Sequence, residues 1–180
     1  SGQSTDHMLS GIICDTCKRS IPFGQYVISV DRNEERYNND TDEIIVVASD
    51  DLVSYCTNCS DCISLPDHLR EDLLKWLGLT RAVHAPMSSW RRWLPRSQPT
   101  RAVHAPMSCD CCSSFLETGT INMTVTVMLA RLEKTDEANG ILLVPELCYT
   151  ILEICPSCAL RYPASDLKRI VTEWQCGYRN

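Results

Sequence analysis

Cys14-Asp15-Thr16-Cys17-Lys18-Arg19-Ser20-Ile21-Pro22-Phe23-Gly24 returns, much altered, as Cys109-Asp110-Cys111-Cys112-Ser113-Ser114-Phe115-Leu116-Glu117-Thr118-Gly119. Both copies read Cys-Asp-x-Cys, three residues, an apolar residue, two residues, Gly. Two thiolates separated by two residues on a tight turn converge on one cation, so each copy opens with a metal knuckle. The chain contains four such pairs: Cys14/Cys17, Cys56/Cys59, Cys109/Cys112 and Cys155/Cys158. Twelve cysteines in 180 residues have two common explanations, a disulfide framework in an oxidising compartment or thiolate metal sites in a reducing one. Disulfide scaffolds rarely set their cysteines as four Cys-x-x-Cys pairs, and the spacing selects metal, with zinc the expected ion.

Outward from each knuckle the two copies continue alike. After Gly24 comes the strand-like Tyr26 to Val30; after Gly119, the apolar residues Ile121, Met123, Val125, Val127 and Leu129 alternate with Asn122, Thr124 and Thr126. A polar region follows in both, Asp31 to Glu43 with six acids and two Arg, and roughly Arg131 to Gly140, which the composition predicts as turns. The chain returns as Ile44 to Ala48 and Leu52 to Tyr55, or as Ile141 to Val144 and Leu147 to Ile154, and delivers the second cysteine pair. From Cys17 to Cys56 there are 38 intervening residues, and from Cys112 to Cys155 there are 42. The difference fits inside the hairpin loops or as extra pairing.

A helix signal follows each second pair. Leu69, Leu73, Trp76 and Leu77 recur at helical spacing after Pro66-Asp67, with Gly78 at the C-terminal cap. Leu167, Ile170, Val171 and Trp174 do the same after Pro163, with Ser165 as the expected N-cap and Gly177 beyond the end. Leu69, Leu73 and Trp76 fall on Leu167, Val171 and Trp174, so the duplication extends past the cysteines.

Knuckle, β-hairpin, second knuckle and helix is the order of elements in the treble-clef zinc fingers, and each half resembles one such module. The resemblance covers about residues 8–79 and 107–180. It implies a small, zinc-stabilised α+β fold of two tandem modules, with Cys14, Cys17, Cys56 and Cys59 around one Zn²⁺ and Cys109, Cys112, Cys155 and Cys158 around another. The wide separation between pairs departs from the compact members and leaves β-rich two-knuckle folds as a competing assignment; the helix argues for the treble clef. Fold follows from this resemblance more readily than function, since such modules serve as nucleic-acid readers, protein-binding scaffolds and, when decorated, nucleases.

A module of ~70 residues buries only a modest core. Structural Zn²⁺ contributes on the order of 10–16 kcal/mol of apparent binding free energy, so metal decides folding in each half. A four-thiolate site has no open coordination position, which disfavours zinc catalysis. Cys62 extends the first module to Cys56-x-x-Cys59-x-x-Cys62 and is an alternative ligand, although its counterpart is Arg161. Cys111, between two ligands, is expected to point away from the metal; Cys148 and Cys176 read as small buried hydrophobes. No βαβ setting for a redox dithiol is present. His7, His68, His84 and His104 are not at ligand spacing beside an incomplete cysteine set.

The second repeat is verbatim. Thr80-Arg81-Ala82-Val83-His84-Ala85-Pro86-Met87-Ser88 recurs as Thr100 to Ser108, with Ser89-Trp90-Arg91-Arg92-Trp93-Leu94-Pro95-Arg96-Ser97-Gln98-Pro99 between. Residues 80–108 therefore read as a linker carrying an inserted copy, dispensable to either module. The linker has five basic and no acidic side chains, whereas 8–79 has 6 against 13 and 109–180 has 6 against 9. Residues 1–7 lack periodicity, and His7-Met8 resembles a cloning junction before an initiator Met8.

Net charge is −6, which opposes generic attraction to a polyphosphate surface. No apolar run reaches the ~18–20 residues of a membrane span and no signal-peptide pattern opens the chain, so the expectation is a soluble intracellular protein, in cytoplasm or nucleus. The closed zinc sites, acidic modules and lack of an acid/base constellation favour a non-enzymatic adaptor or regulator whose partner is another protein. A nucleic-acid reader gripping phosphates through the linker is the alternative, disfavoured by charge, and no membrane partner is expected.

Overall fold

The computed structural model describes residues 9–38, 40, 43–79, 108–138 and 140–178. The remainder of the linker, both tryptophans within it, His7, His84, His104 and the first eight residues lie outside the described residues, as does the Cys176 side chain. Element order is β1 (Leu9–Ile13), β2 (Ser20–Pro22), β3 (Tyr26–Asn38), β4 (Glu43–Cys56), α1 (Leu65–Trp76), β5 (Ile121–Lys134), β6 (Ile141–Ile154), α2 (Pro156–Ala159) and α3 (Ala164–Tyr178). The fold is small and α+β, with antiparallel sheets. β1 and β2 form a short ribbon flanking the first knuckle, and the other four strands form one sheet in the order β4-β3-β5-β6.

Each repeat supplies one hairpin, and the two hairpins meet along β3 and β5. Side chains alternate across a strand, so Ile28 and Val30 lie on one face beside their cross-strand partners Leu129 and Val127. With Leu69 and Leu73 of α1 and Leu167 and Val171 of α3, this face builds a single core. Burying such a set supplies about 1.5–3 kcal/mol per fully buried aliphatic side chain. The other face carries Ser29, Asp31 and Asn33 beside Met128, Thr126 and Thr124. Asn33 donates to Thr126 Oγ1 at 2.9 Å and accepts from Ser49 Oγ at 2.7 Å. These bonds let polar side chains lie buried in the middle of a sheet.

The two repeats are related by a two-fold axis through one cross-strand pair. Asp31 pairs with Thr126, which is its own counterpart 95 residues on, as Cys109 is of Cys14. Both hairpins have β-bulges, at Val30/Asp31 and Glu34/Glu35 and at the equivalent Val125/Thr126 and Leu129/Ala130. The Gly24 N–H donates to Leu132 O at 2.7 Å, and reciprocally the Gly119 N–H donates to Tyr37 O at 3.0 Å. Gly24 and Gly119 have φ of +85° and +83°, a region that favours glycine, which explains why Gly closes both copies of the motif.

Helices are exchanged across this axis. α1, from the first repeat, packs on β6, and α3, from the second, packs on β4. Arg70 of α1 donates to Ile151 O and lies 3.5 Å from Asp110; its counterpart in α3, Lys168, lines a groove with Asp15 and Asp51. The helices meet where Trp174 Nε1 donates to Asp72 Oδ2. Residues 8–79 and 109–180, read from sequence as tandem units, thus share one sheet and one core.

Several local expectations change. Asp31–Asn38, read as part of a turn, is the continuation of β3; pairing with β4 on one side and β5 on the other satisfies its backbone, and no apolar alternation advertises it. Arg131–Lys134 likewise belongs to β5. The ladders of the two hairpins match, and the extra four residues of the second are one additional pair, Lys134 with Ile141, plus a longer turn at 135–140 against 39–42. α3 starts at Ala164, so Ser165 is inside the first turn, and Pro163 O accepts from the Asp166 and Leu167 N–H groups. Gly177 lies within α3. Trp76 is 47% exposed, whereas Trp174 is 5% exposed. α1 ends at Trp76 itself, and Leu74 and Leu79 are the buried residues at this end. Among the described residues no helix is long and apolar enough to cross a membrane.

Candidate metal centres

The knuckle backbone is dictated by a short set of bonds that recur in both repeats. Cys14 N–H donates to Arg19 O at 2.9 Å and Lys18 N–H to Cys14 O at 2.8 Å; Cys109 with Ser114 and Ser113 with Cys109 repeat this at 2.8 Å each. Closing so tight a loop forces Lys18 and Ser113 to φ of +61° and +64°. The second pairs arrive from the hairpins, Cys56 as the last residue of β4 with Cys59 on the turn after it, and Cys155 as the N-cap of α2 with Cys158 inside that helix.

The recurring Asp of each Cys-Asp-x-Cys holds the two knuckles together. Asp15 N–H donates to Ser54 O at 2.8 Å, and Asp15 Oδ2 accepts from Ser54 N–H at 2.7 Å. Asp110 makes the same pair with Glu153, both bonds at 2.8 Å. Each strap ties the first knuckle to the strand that delivers the other two cysteines. The recurrence of Asp is visible in the sequence, but its task is not, because nothing local names a partner 39 residues away.

Two groups result: Cys14, Cys17, Cys56 and Cys59, and Cys109, Cys112, Cys155 and Cys158, with the sulfurs of each group within 4.8 Å of one another. Each group could hold a metal ion. Cys17 Sγ and Cys56 Sγ are 3.9 Å apart, and Cys112 Sγ and Cys155 Sγ 3.8 Å. A disulfide needs ~2.05 Å, while a tetrahedron with Zn–S bonds of ~2.3 Å has an edge of about 3.8 Å. The donor set fits a tetrahedral thiolate metal. All cysteines with described side chains are free thiols.

Electrostatics favour a positive charge at each centre. Burial pushes the Cys14 thiol up, but backbone N–H donors from Cys17, Cys56 and Thr16 outweigh it and bring it down to about 7. The Ser114 hydroxyl and N–H lower Cys112 to about 6. Burial and then hydrogen bonds from the neighbouring cysteines raise Cys59 to about 12, and Cys158 is raised for the same reasons. Cys109 Sγ accepts from the N–H groups of Cys111 and Cys155 at 3.4 and 3.3 Å. Some sulfurs are thus prepared as thiolates while others resist, and a cation is what allows four to ionise together.

The remaining candidates fall outside both groups. Cys62 is not among the four converging sulfurs, and burial together with Asp61 raises its thiol. Cys111 Sγ lies 4.0 Å from the Tyr162 hydroxyl. Cys148 is partly buried on β6, where burial and the carboxylates of Glu35 and Asp31 push it up to about 12. His68 is exposed on α1.

Comparison with protein-family models, curated proteins and solved structures gives no match for the chain.

Proposed function

We propose that the protein is a zinc-binding adaptor or regulator of the treble-clef type, which presents a rigid surface to another protein. The observation that carries this reading is the convergence of the two four-cysteine groups at the sulfur spacing of a tetrahedral thiolate site. Zn²⁺ is the ion preferred by closed tetrahedral sulfur sites, and four protein ligands leave no position for a reacting water. Such sites hold a shape and supply no hydroxide, which supports a binding role over an enzymatic one. The acidic halves favour a protein partner over nucleic acid, and each zinc with four thiolates adds a further formal −2.

Elemental analysis of purified protein tests the metal: two zinc ions per chain are expected, and one or none overturns the assignment. A pull-down from native lysate with nuclease treatment tests the partner class. Protein retained after nuclease supports the adaptor. Loss of all captured protein on nuclease treatment, together with submicromolar binding of labelled DNA or RNA at ~0.15 M salt, would assign the chain to the nucleic-acid readers instead.

A further inference from the structure

The duplication allows the two outer edges of the sheet to be compared position by position. β4 and β6 are the edge strands, and an edge exposes a row of unpaired N–H and C=O groups that another chain can extend. The hairpin ladders match residue for residue, 99 residues apart as Cys56 is from Cys155. Val46 and Val47 therefore stand where the second repeat has Pro145 and Glu146, with Val47 and Glu146 at the same bulge.

On β6 this place is closed to further pairing. Pro145 has no N–H to offer. Glu146 is engaged by the Tyr26 hydroxyl at 3.1 Å and lies 3.6 Å from Arg131. The symmetry-related cluster on β4 replaces Glu146, Tyr26 and Arg131 with Val47, Ile121 and Arg36. Ile45 of β4 pairs with Arg36 of β3, which pairs in turn with Ile121 of β5, so the two isoleucines flank Arg36 across three strands. Ile45, Val46, Val47 and Ile121 are 36%, 47%, 50% and 43% exposed. At this place β6 carries a proline and an ion pair where β4 carries two exposed valines; Ile141, Leu142 and Leu143 farther along β6 are exposed too, so the difference between the edges lies at the bulge.

Charge selects the occupant. The apolar run Ile44–Ala48 is bracketed by Glu43 on one side and by Asp50 and Asp51 on the other; Asp50 lies 4.0 Å from Arg32 and stays 58% exposed, open to a second cation. Antiparallel pairing with a second copy centred between Val46 and Val47, the register that stacks the two apolar runs, would bring Glu43 of each chain beside Asp50 of the other, a like-charge contact that opposes self-association. A strand with aliphatic residues at alternate positions and Lys or Arg at its ends matches both features.

We propose that the β4 edge over Glu43–Asp50 is a docking site for an extended protein segment with alternating aliphatic residues flanked by basic ones, added as a fifth strand to the sheet. The proposal rests on the adaptor reading only in taking the partner to be a protein.

The test uses the full zinc-loaded chain and a fluorescein-labelled peptide of alternating valine and threonine with two lysines at each end. A second peptide carries glutamates in place of the lysines. Binding is followed by anisotropy, and its location by hydrogen exchange. The lysine peptide should bind and slow exchange over 43–50 without affecting 141–150, and the glutamate peptide should not bind. The double variant V46P/V47E copies the guarded edge, and the second repeat already accommodates Pro and Glu at this place. It should keep its metal content and bind the lysine peptide roughly tenfold more weakly or worse, as loss of a ladder bond and of apolar contact implies.

Undiminished binding by V46P/V47E, protection elsewhere, or no binding at ~1 mM peptide overturns the proposal. So does slowed exchange over 43–50 that appears with protein concentration alone, which would assign the edge to a second copy. In the native pull-down, a partner retained equally by V46P/V47E overturns the edge proposal while leaving the adaptor reading intact.

Discussion

Individual sulfurs and one carboxyl set the sharpest tests at the scale of the residue. Replacing Cys17 with Ser removes one donor from the first group, and metal content is expected to fall from two ions per chain to one by elemental analysis. Cys62→Ser should leave both, because its sulfur is outside the four that converge. Asp31 tests the polar face of the sheet. Burial raises its carboxyl from 3.8 to about 7, opposed by the 2.8 Å hydrogen bond from Ser29, with Asp51 adding like charge. The fold therefore favours the protonated form. This contribution to stability is complete below about pH 3.8 and is lost as pH rises through about 7. Asp31→Asn should accordingly stabilise the protein at pH 8, on the order of 1–3 kcal/mol by chemical denaturation, and much less at pH 5. The eight clustered cysteines are legible because metal chemistry imposes a spacing of two on each pair. Asp15 and Asp110 can be seen to recur, but the strands they tie down become their neighbours only after folding.

Elements are legible in proportion to how much of their sequence is apolar. α1 is visible from Leu69 and Leu73, and its end from Gly78. There the Leu79 N–H reaches Leu74 O at 2.7 Å and the Gly78 N–H reaches Lys75 O at 3.1 Å, a paired C-terminal cap that needs the left-handed conformation of Gly78 at φ +72°. A Cβ there would meet nothing within 4 Å, so Gly78→Ala should cost only the backbone term. Urea denaturation is expected to show about 1 kcal/mol of destabilisation with metal content unchanged. β3 is the opposite case. Its second half, Asp31 to Asn38, is polar throughout and looks like a turn, because its strand conformation is held by partners on both sides and not by an alternating pattern. Trp76 departs from expectation for a related reason: periodicity places a residue on a face but does not report where the helix stops.

Across the whole molecule, nothing in either repeat announces that β3 will pair with β5 or that the helices will be exchanged. Both depend on contacts about 100 residues apart and on a register that only the folded sheet defines. They carry a thermodynamic consequence. With one sheet and a shared core, the full chain should unfold in a single transition by calorimetry, and a chelator that strips the metal should abolish that transition for both halves together. A chain cut to residues 8–79 loses β5 beside β3 and α3 beside β4. Even with excess zinc it is expected to lack a cooperative transition; two independent transitions in the full chain, or a stable isolated half, would contradict the shared core.

The two-fold axis through Asp31 and Thr126 also fixes what this protein is free to become. In a true homodimer every substitution is made twice, so no interface can be opened on one side and sealed on the other, and an acid placed on the axis must face itself. Joining both copies in one chain lifts that restriction. Thr126 can stand across from Asp31, and one hairpin can carry Pro145-Glu146 while its twin carries Val46-Val47. Fusion thus lets a symmetric frame carry different chemistry at its two edges, which is what the strand addition proposed for β4 requires if it is to have a single direction.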